Sequence, residues 1–219
     1  MNLQKVVIIG AGGFGREVLD VLEAVNQVSP SYEIAGFITD PEYQKPGEVI
    51  HDAPVLGGFD WLAAHAAEVK AICGIGSPST RQRMIEQAAK LGVGFFSVIH
   101  PWAITTRWMT MGEGTIITAG CILTNNITLG DHVHLNLDCT VGHDAVLEDF
   151  VTVSPGVHIS GNVTLKSGSF IGTGANIIEG KTIGVGSVVG AGSVVVKDIP
   201  DHVTAVGIPA KPIKTNPAD

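Results

Sequence analysis

Residues 117–147 read ITAGCILTNNITLGDHVHLNLDCTVGHDAVL, and every sixth position is aliphatic: Ile117, Leu123, Leu129, Leu135, Val141 and Leu147. The register continues without a miss through Val153, Ile159, Leu165, Ile171, Ile177, Ile183, Val189 and Val195. An amphipathic helix repeats at 3.6 residues and a half-buried strand at 2, so neither accounts for a sustained period of six. A hexad repeat is the signature of a parallel β-helix, each hexad supplying a short strand and a turn. Three hexads close one triangular coil, so residues 18 apart stack at about the 4.8 Å spacing of paired strands.

A second inward set runs through Cys121, Ile127, Val133, Cys139, Ala145, Val151, Val157 and Val163, while Lys181 breaks it and must point out or sit at a corner. No loop interrupts the hexads, which run to about Lys197, so a site must be built from residues on the coil surface and completed by a partner surface. Residues 101–116 start the repeat irregularly, and Trp102, Trp108 and Met111 are expected to cover a junction between domains. The tail Ile199–Ile213, with Pro200, Pro209 and Pro212, is expected to cap the helix end against edge-to-edge pairing.

The first hundred residues follow a different pattern. Val6–Ile9 is a continuous apolar run, as in a parallel strand buried on both faces. It enters Gly10-Ala11-Gly12-Gly13-Phe14-Gly15 and then a helical pattern through Val18, Leu19, Val21, Leu22 and Val25. Strand, glycine loop and helix is the context in which backbone N–H groups hold a phosphate, and Gly10-x-Gly12-x-x-Gly15 matches the dinucleotide fingerprint. The same spacing also suits a purely structural tight turn. A second strand, Ile34–Thr39, ends at Asp40, where such folds place a ribose-binding acid or simply a turn acid before Pro41. Residues 41–58 read as an exposed Pro- and Gly-rich loop. A third unit places strand Ala71–Gly74 before Gly76-Ser77-Pro78-Ser79 and a helix Thr80–Leu91, with Arg81 and Arg83 in its first turn and all of Ser77, Arg81 and Arg83 within reach of a nucleotide. Strand Phe95–Ile99 closes the sheet. This expectation is an α/β Rossmann-like domain over residues 1–100, with room for one nucleotide and not for a dinucleotide, followed by an all-β β-helix over 101–219.

Composition narrows the function. The chain has 219 residues, 45% hydrophobic and 16% charged, with net charge −8, which suits a globular protein and excludes a basic nucleic-acid surface or docking on anionic lipid. No apolar run approaches the roughly 20 residues of a membrane span. Strand-like Val6–Ile9 comes where a leader would need a basic and then a longer apolar stretch, and three cysteines without disulfide or zinc spacing suit a reducing compartment, so a cytoplasmic location is expected.

Polar residues crowd two to three coils: Asn125, Asn126, Asp131, His132, His134, Asn136, Asp138, His143, Asp144 and His158. The aliphatic ladder needs none of them. Stepping by 18 puts His143 above Asn125 and below Gly161. A histidine under a bare glycine N–H is the geometry of a base facing an oxyanion donor, and Asp144 is placed to orient the ring. A zinc site lacks the acidic or thiolate ligand spacing, and no metal is expected. Cys139 faces inward and is no nucleophile.

The whole chain resembles the bacterial sugar-nucleotide N-acetyltransferases of the bacillosamine and perosamine pathways, and the related sialic acid O-acetyltransferases. The resemblance rests on Gly10–Gly15, Gly36-Phe37-Ile38-Thr39-Asp40, Val141-Gly142-His143-Asp144, Gly190-Ala191-Gly192-Ser193-Val194-Val195 and Gly207-Ile208-Pro209-Ala210-Lys211. It implies a left-handed β-helix and a homotrimer, with acetyl-CoA between neighbouring β-helices along Gly161, Gly174, Ala191, Gly192 and Pro209. It implies His143 as general base, Asp144 as its acidic partner and the Gly161 N–H as oxyanion donor, with Asn136 beside the site. The nucleotide of an amino sugar would lie on Gly10, Gly12, Gly13, Phe14, Gly15, Asp40 and Gly76. Some relatives carry a histidine where this chain has Phe14, and another where it has Thr152, which leaves the sugar open. Acetylation of a sugar hydroxyl, or a non-catalytic trimeric nucleotide-binding scaffold, would use the same frame.

Overall fold

The computed structural model describes residues 3–39, 42–43 and 45–216. The chain divides into two compact units, one running to Gly76 and including Thr80–Pro101, the other comprising Ser77–Ser79 and the chain from Trp102 onward.

In the first unit the strands are β1 (Gln4–Ile9), β2 (Tyr32–Ile38), β3 (Val49–Ile50), β4 (Ala53–Gly57), β5 (Lys70–Cys73) and β6 (Gly94–Phe95), ordered β3-β4-β2-β1-β5-β6. All pairs are parallel except the hairpin β3–β4. Val6 to Ile9 in the central β1 are at most 2% exposed, which is why that strand is apolar at consecutive positions. Helix α1 (Gly13–Val28) buries Val18, Leu19, Val21 and Leu22. Helix α3 (Pro78–Lys90) starts two residues before the expected Thr80, with Pro78 at a first-turn position that lacks an intrahelical N–H partner in any case.

The expected loop 41–58 is corrected by β3 and β4. Ala53, Val55 and Gly57 are buried in alternation with Pro54 and Leu56, a period-2 signal only five residues long that the surrounding Pro and Gly obscured. His51 and Asp52 make the intervening turn with left-handed φ of 47° and 65°. A short helix, α2 (Phe59–His65), follows. Of the expected strand Phe95–Ile99, only Phe95 pairs with β5, as the end of β6, while Val98–Ile99 is a separate element.

The second unit is a left-handed parallel β-helix. Its strands pair at steps of 18: Leu123 with Val141, Ile159, Ile177 and Val195; Leu129 with Leu147, Leu165 and Ile183; Leu135 with Ile117, Val153, Ile171 and Val189. None of the fourteen ladder residues is more than 2% exposed. Each such side chain contributes about 1.5–3 kcal/mol by leaving water. The inward set ends with small side chains, Ser169, Ala175, Ser187 and Ser193, while Lys181 is partly exposed. The tail folds into a hairpin, Val203–Gly207 with Ala210–Thr215, added in parallel to Val188–Val189, and Ile199 bridges Ile183. It therefore closes two of the three faces at that end. Trp102 and Trp108 are 79% and 58% exposed, and Met111 is half-buried. Among the described residues no helix is long and apolar enough to cross a membrane.

Candidate active site

His143 and Asp144 lie at the corner after strand Thr140–Val141. The coil below contributes Asn125, whose carbonyl accepts the Asp144 N–H (2.9 Å), and the coil above contributes Asn162, whose N–H donates to the His143 carbonyl (2.8 Å). These bonds fix the backbone between two paired strands, so an exposed dyad stands on a rigid support. The His143 Nδ1–H donates to Asp144 Oδ2 at 2.8 Å, and Asn126 Nδ2 donates to Asp144 Oδ1 at 3.1 Å. Accepting first the imidazole and then the amide hydrogen bond holds the Asp144 carboxyl below the usual carboxylate range. With the proton on Nδ1, the lone pair is on Nε2, which meets no hydrogen-bonding group among the described residues. Both side chains are about half exposed, 56% and 46%. The pair can accept a proton at Nε2 while the carboxylate stabilises the imidazolium formed.

The step of 18 places Gly161 directly on this ring. A Cβ on Gly161 would fall 2.6 Å from both Cε1 and Nε2 of His143. Gly161 is buried, and its N–H donates to nothing among the described residues while its carbonyl accepts from Gly180. The bare glycine thus gives the imidazole its place and leaves one donor beside it. In the sequence Asn126 stands out only as one of a polar crowd, although counting 18 back from Asp144 reaches it.

The other expected residues of this unit are on a different corner. Asn136 follows strand His134–Leu135, and its amide donates to the Val153 carbonyl at 3.1 Å. Gly174 follows Phe170–Ile171 at the same corner, and Ala191 and Gly192 follow Val188–Val189. Pro209 lies in the turn of the tail hairpin, which is tied to that column where the Gly207 N–H donates to Ser193 Oγ at 3.1 Å. One chain therefore brings together His143, Asp144 and Gly161, and separately Asn136, Gly174, Ala191 and Gly192. His132 and His134 are buried, at 4% and 0% exposure, and His158 is on the surface, bonded to Thr140 Oγ1 through Nδ1 at 2.9 Å. Among the described residues no cluster of three His, Cys, Asp or Glu side chains is arranged to hold a metal ion.

In the α/β unit, Gly10 and Gly12 lie in the β1–α1 connection, Gly13, Phe14 and Gly15 open helix α1, and Gly76 lies past the end of β5, which pairs with β1. Gly15 is packed so tightly on the Gly10 carbonyl, and Gly74 on the Gly15 backbone, that neither admits a Cβ. Gly12 and Gly13, by contrast, are exposed with open space around them. The N-cap of helix α1, Gly12, is in extended conformation and makes no side-chain cap hydrogen bond. Arg81 corrects the expectation of a nucleotide contact. It is fully buried, and its Nη1 donates to the carbonyls of Ile75 (3.0 Å) and Gly76 (3.3 Å), bracing the loop from behind. Arg83 is exposed. Asp40 lies outside the described residues.

Comparison with known proteins bears on both units. Residues 5–88 match the PglD N-terminal domain. No curated protein matches the chain. Among solved structures, a histidine-to-asparagine variant of perosamine N-acetyltransferase from Caulobacter crescentus, in complex with CoA and GDP-perosamine, is 30% identical with a TM-score of 0.89, over 97% of this chain and 98% of that one. The acetyltransferase domain of PglB from Neisseria gonorrhoeae is 35% identical, TM-score 0.87, over 96% and 100%. WeeI from Acinetobacter baumannii is 31% identical, TM-score 0.86, over 96% and 100%. Similarity of that extent spans the glycine loop, the ladder and the histidine corner together, and it places this chain in the family of sugar-nucleotide N-acetyltransferases.

Proposed function

We propose that the protein transfers the acetyl group of acetyl-CoA to the C4 amine of a UDP- or GDP-linked 4-amino-dideoxy sugar, with His143 as general base. The observation that carries this reading is the His143–Asp144 hydrogen bond, which leaves Nε2 as the acceptor under Gly161. The amine nitrogen attacks the thioester carbon as Nε2 takes its proton, and the carbonyl oxygen becomes an oxyanion held by the Gly161 N–H. The C–S bond then breaks, the amide remains on the sugar, and the imidazolium returns its proton to the departing thiolate. Transfer is direct, because the three cysteines are buried and none can carry the acetyl group.

The two separated corners support a homotrimer. Residues on different corners of one triangular coil face apart, so a site uniting His143 and Gly161 with Asn136, Gly174, Ala191, Gly192 and Pro209 needs a second copy of the chain. We assign acyl transfer to residues 101–219 and the nucleotide to residues 1–100, on Gly10, Gly12, Gly13, Phe14, Gly15 and Gly76 with Asp40. Solved relatives carry CoA with GDP-perosamine, or acetyl coenzyme A, which supports this choice of ligands. Free buried thiols suit a cytoplasmic setting.

His143→Ala should lower kcat by about 10²–10⁴-fold, the usual worth of a positioned base, with the ladder and hence the fold intact. Thermal-shift titration with acetyl-CoA and with UDP-, GDP- and dTDP-linked amino sugars identifies the nucleotide. Near-normal turnover by the variant overturns the assignment.

A further inference from the structure

We infer that Asn126 is a positioning residue for the catalytic pair, acting through Asp144 from one coil below. This rests on the reading of His143 as base. Asn126 Nδ2 donates to Asp144 Oδ1 at 3.1 Å while Asp144 Oδ2 accepts the His143 Nδ1–H at 2.8 Å, so the carboxylate bridges the two and each oxygen has its own donor. Without the amide, the carboxylate can rotate about its terminal bond and the imidazole loses its fixed orientation.

The backbone makes the arrangement specific. Asn126 and Asp144 both adopt left-handed φ, 56° and 59°, a conformation that Asn and Asp tolerate and most residues do not. Stacked at consecutive coils, their side chains leave the corner in parallel, which brings amide and carboxylate into contact. The next residue of the column, Asn162, is turned the other way, its Nδ2 donating to Glu179 Oε1 at 3.3 Å, so it does not duplicate the role. The groups stacked on the dyad from the neighbouring coils, Asn125, Asn126, Gly161 and Asn162, are all neutral. Among the described residues Asp144 is the one carboxylate hydrogen-bonded to His143, and the charged Glu179 lies two coils above it.

Two variants test this at the same backbone geometry. Asn126→Gly keeps the left-handed turn and removes only the amide; kcat should fall about threefold to tenfold, with KM for acetyl-CoA and sugar unchanged, as for one exposed hydrogen bond. Asn126→Asp keeps the shape but sets a second carboxylate against the first, which favours the imidazolium. The acid limb of kcat/KM should move to higher pH, with activity recovering toward alkaline pH. In a double-mutant cycle, Asn126→Gly should cost nothing further once Asp144 is Ala. Wild-type kcat in Asn126→Gly, an unmoved acid limb in Asn126→Asp, or additive losses in the cycle overturn the inference. His143→Ala is measured alongside. If it retains turnover the base assignment has failed; if it is inactive while the Asn126 variants behave as wild type, only the role of Asn126 has.

Discussion

The corner that carries His143 and the corner that carries Gly174 are built on the same turn. The first places left-handed residues at Asn126, Asp144, Asn162 and Gly180, with φ of 56°, 59°, 56° and 69°. The second places them at Gly120, Asp138, Gly156, Gly174 and Gly192, with φ of 75°, 59°, 67°, 68° and 65°. The backbone asks for the same conformation in both columns, and Asn, Asp or Gly all meet it. The first column answers with polar side chains in three of four places. The second runs through three consecutive glycines whose Cβ positions have nothing within 4 Å. No steric demand inside the chain explains that choice, since Asn would fit each turn. One corner displays polar side chains; the other is bare, as the acetyl-CoA site proposed for it requires.

The contrast can be broken most severely at Gly161. Its φ is ordinary, so Gly161→Ala puts no strain on the turn, yet the new methyl would occupy the place of the His143 ring. We expect kcat to fall by about 10²-fold with the melting temperature nearly unchanged, because the imidazole is displaced while the ladder is untouched. Steady-state kinetics together with a thermal melt check this, and a variant that turns over normally would show that the ring has another productive position. A smaller effect is expected on the bare corner. Gly174→Asn keeps the left-handed turn but fills the open space, and should raise KM for acetyl-CoA roughly tenfold, about 1.4 kcal/mol, without changing kcat. Unchanged KM would remove Gly174 from the ligand's path. The smallest effect belongs to the buried interiors of the two units. Cys73, Cys121 and Cys139 are fully buried, and burial pushes the Cys73 thiol up to about 12 against the opposing influence of Arg81. A thiol-reactive disulfide reagent should titrate none of them in the native protein and all three after denaturation. Fast native reaction would mean that the coils open at Cys121 or Cys139, or that the α/β sheet opens at Cys73.

Much of this was readable beforehand because the β-helix is close to one-dimensional. The period of six placed all fourteen aliphatic residues inside, and its triple placed Gly161 against His143. The Asn126–Asp144 contact follows from the same step, counted from Asp144 instead of from His143. The α/β unit was less legible. Its β4 strand offers five residues of alternation between Pro and Gly, too few to outweigh them, and nothing in the pattern of α3 says that Arg81 turns inward to hold two carbonyls. Side-chain direction there is set by packing among non-adjacent elements, whereas in the coils it follows from counting.

That counting has a consequence for insertions and deletions. Because the hexad strands from Ile117 to Val195 pair with one another at steps of 18, a whole coil could be removed or added and each remaining strand would still meet an aliphatic partner. A change of one residue would turn all later ladder positions outward. The β-helix thus has a reading frame, and the histidine corner keeps its address in it, while the distance from that corner to the capped end can vary only in steps of one coil.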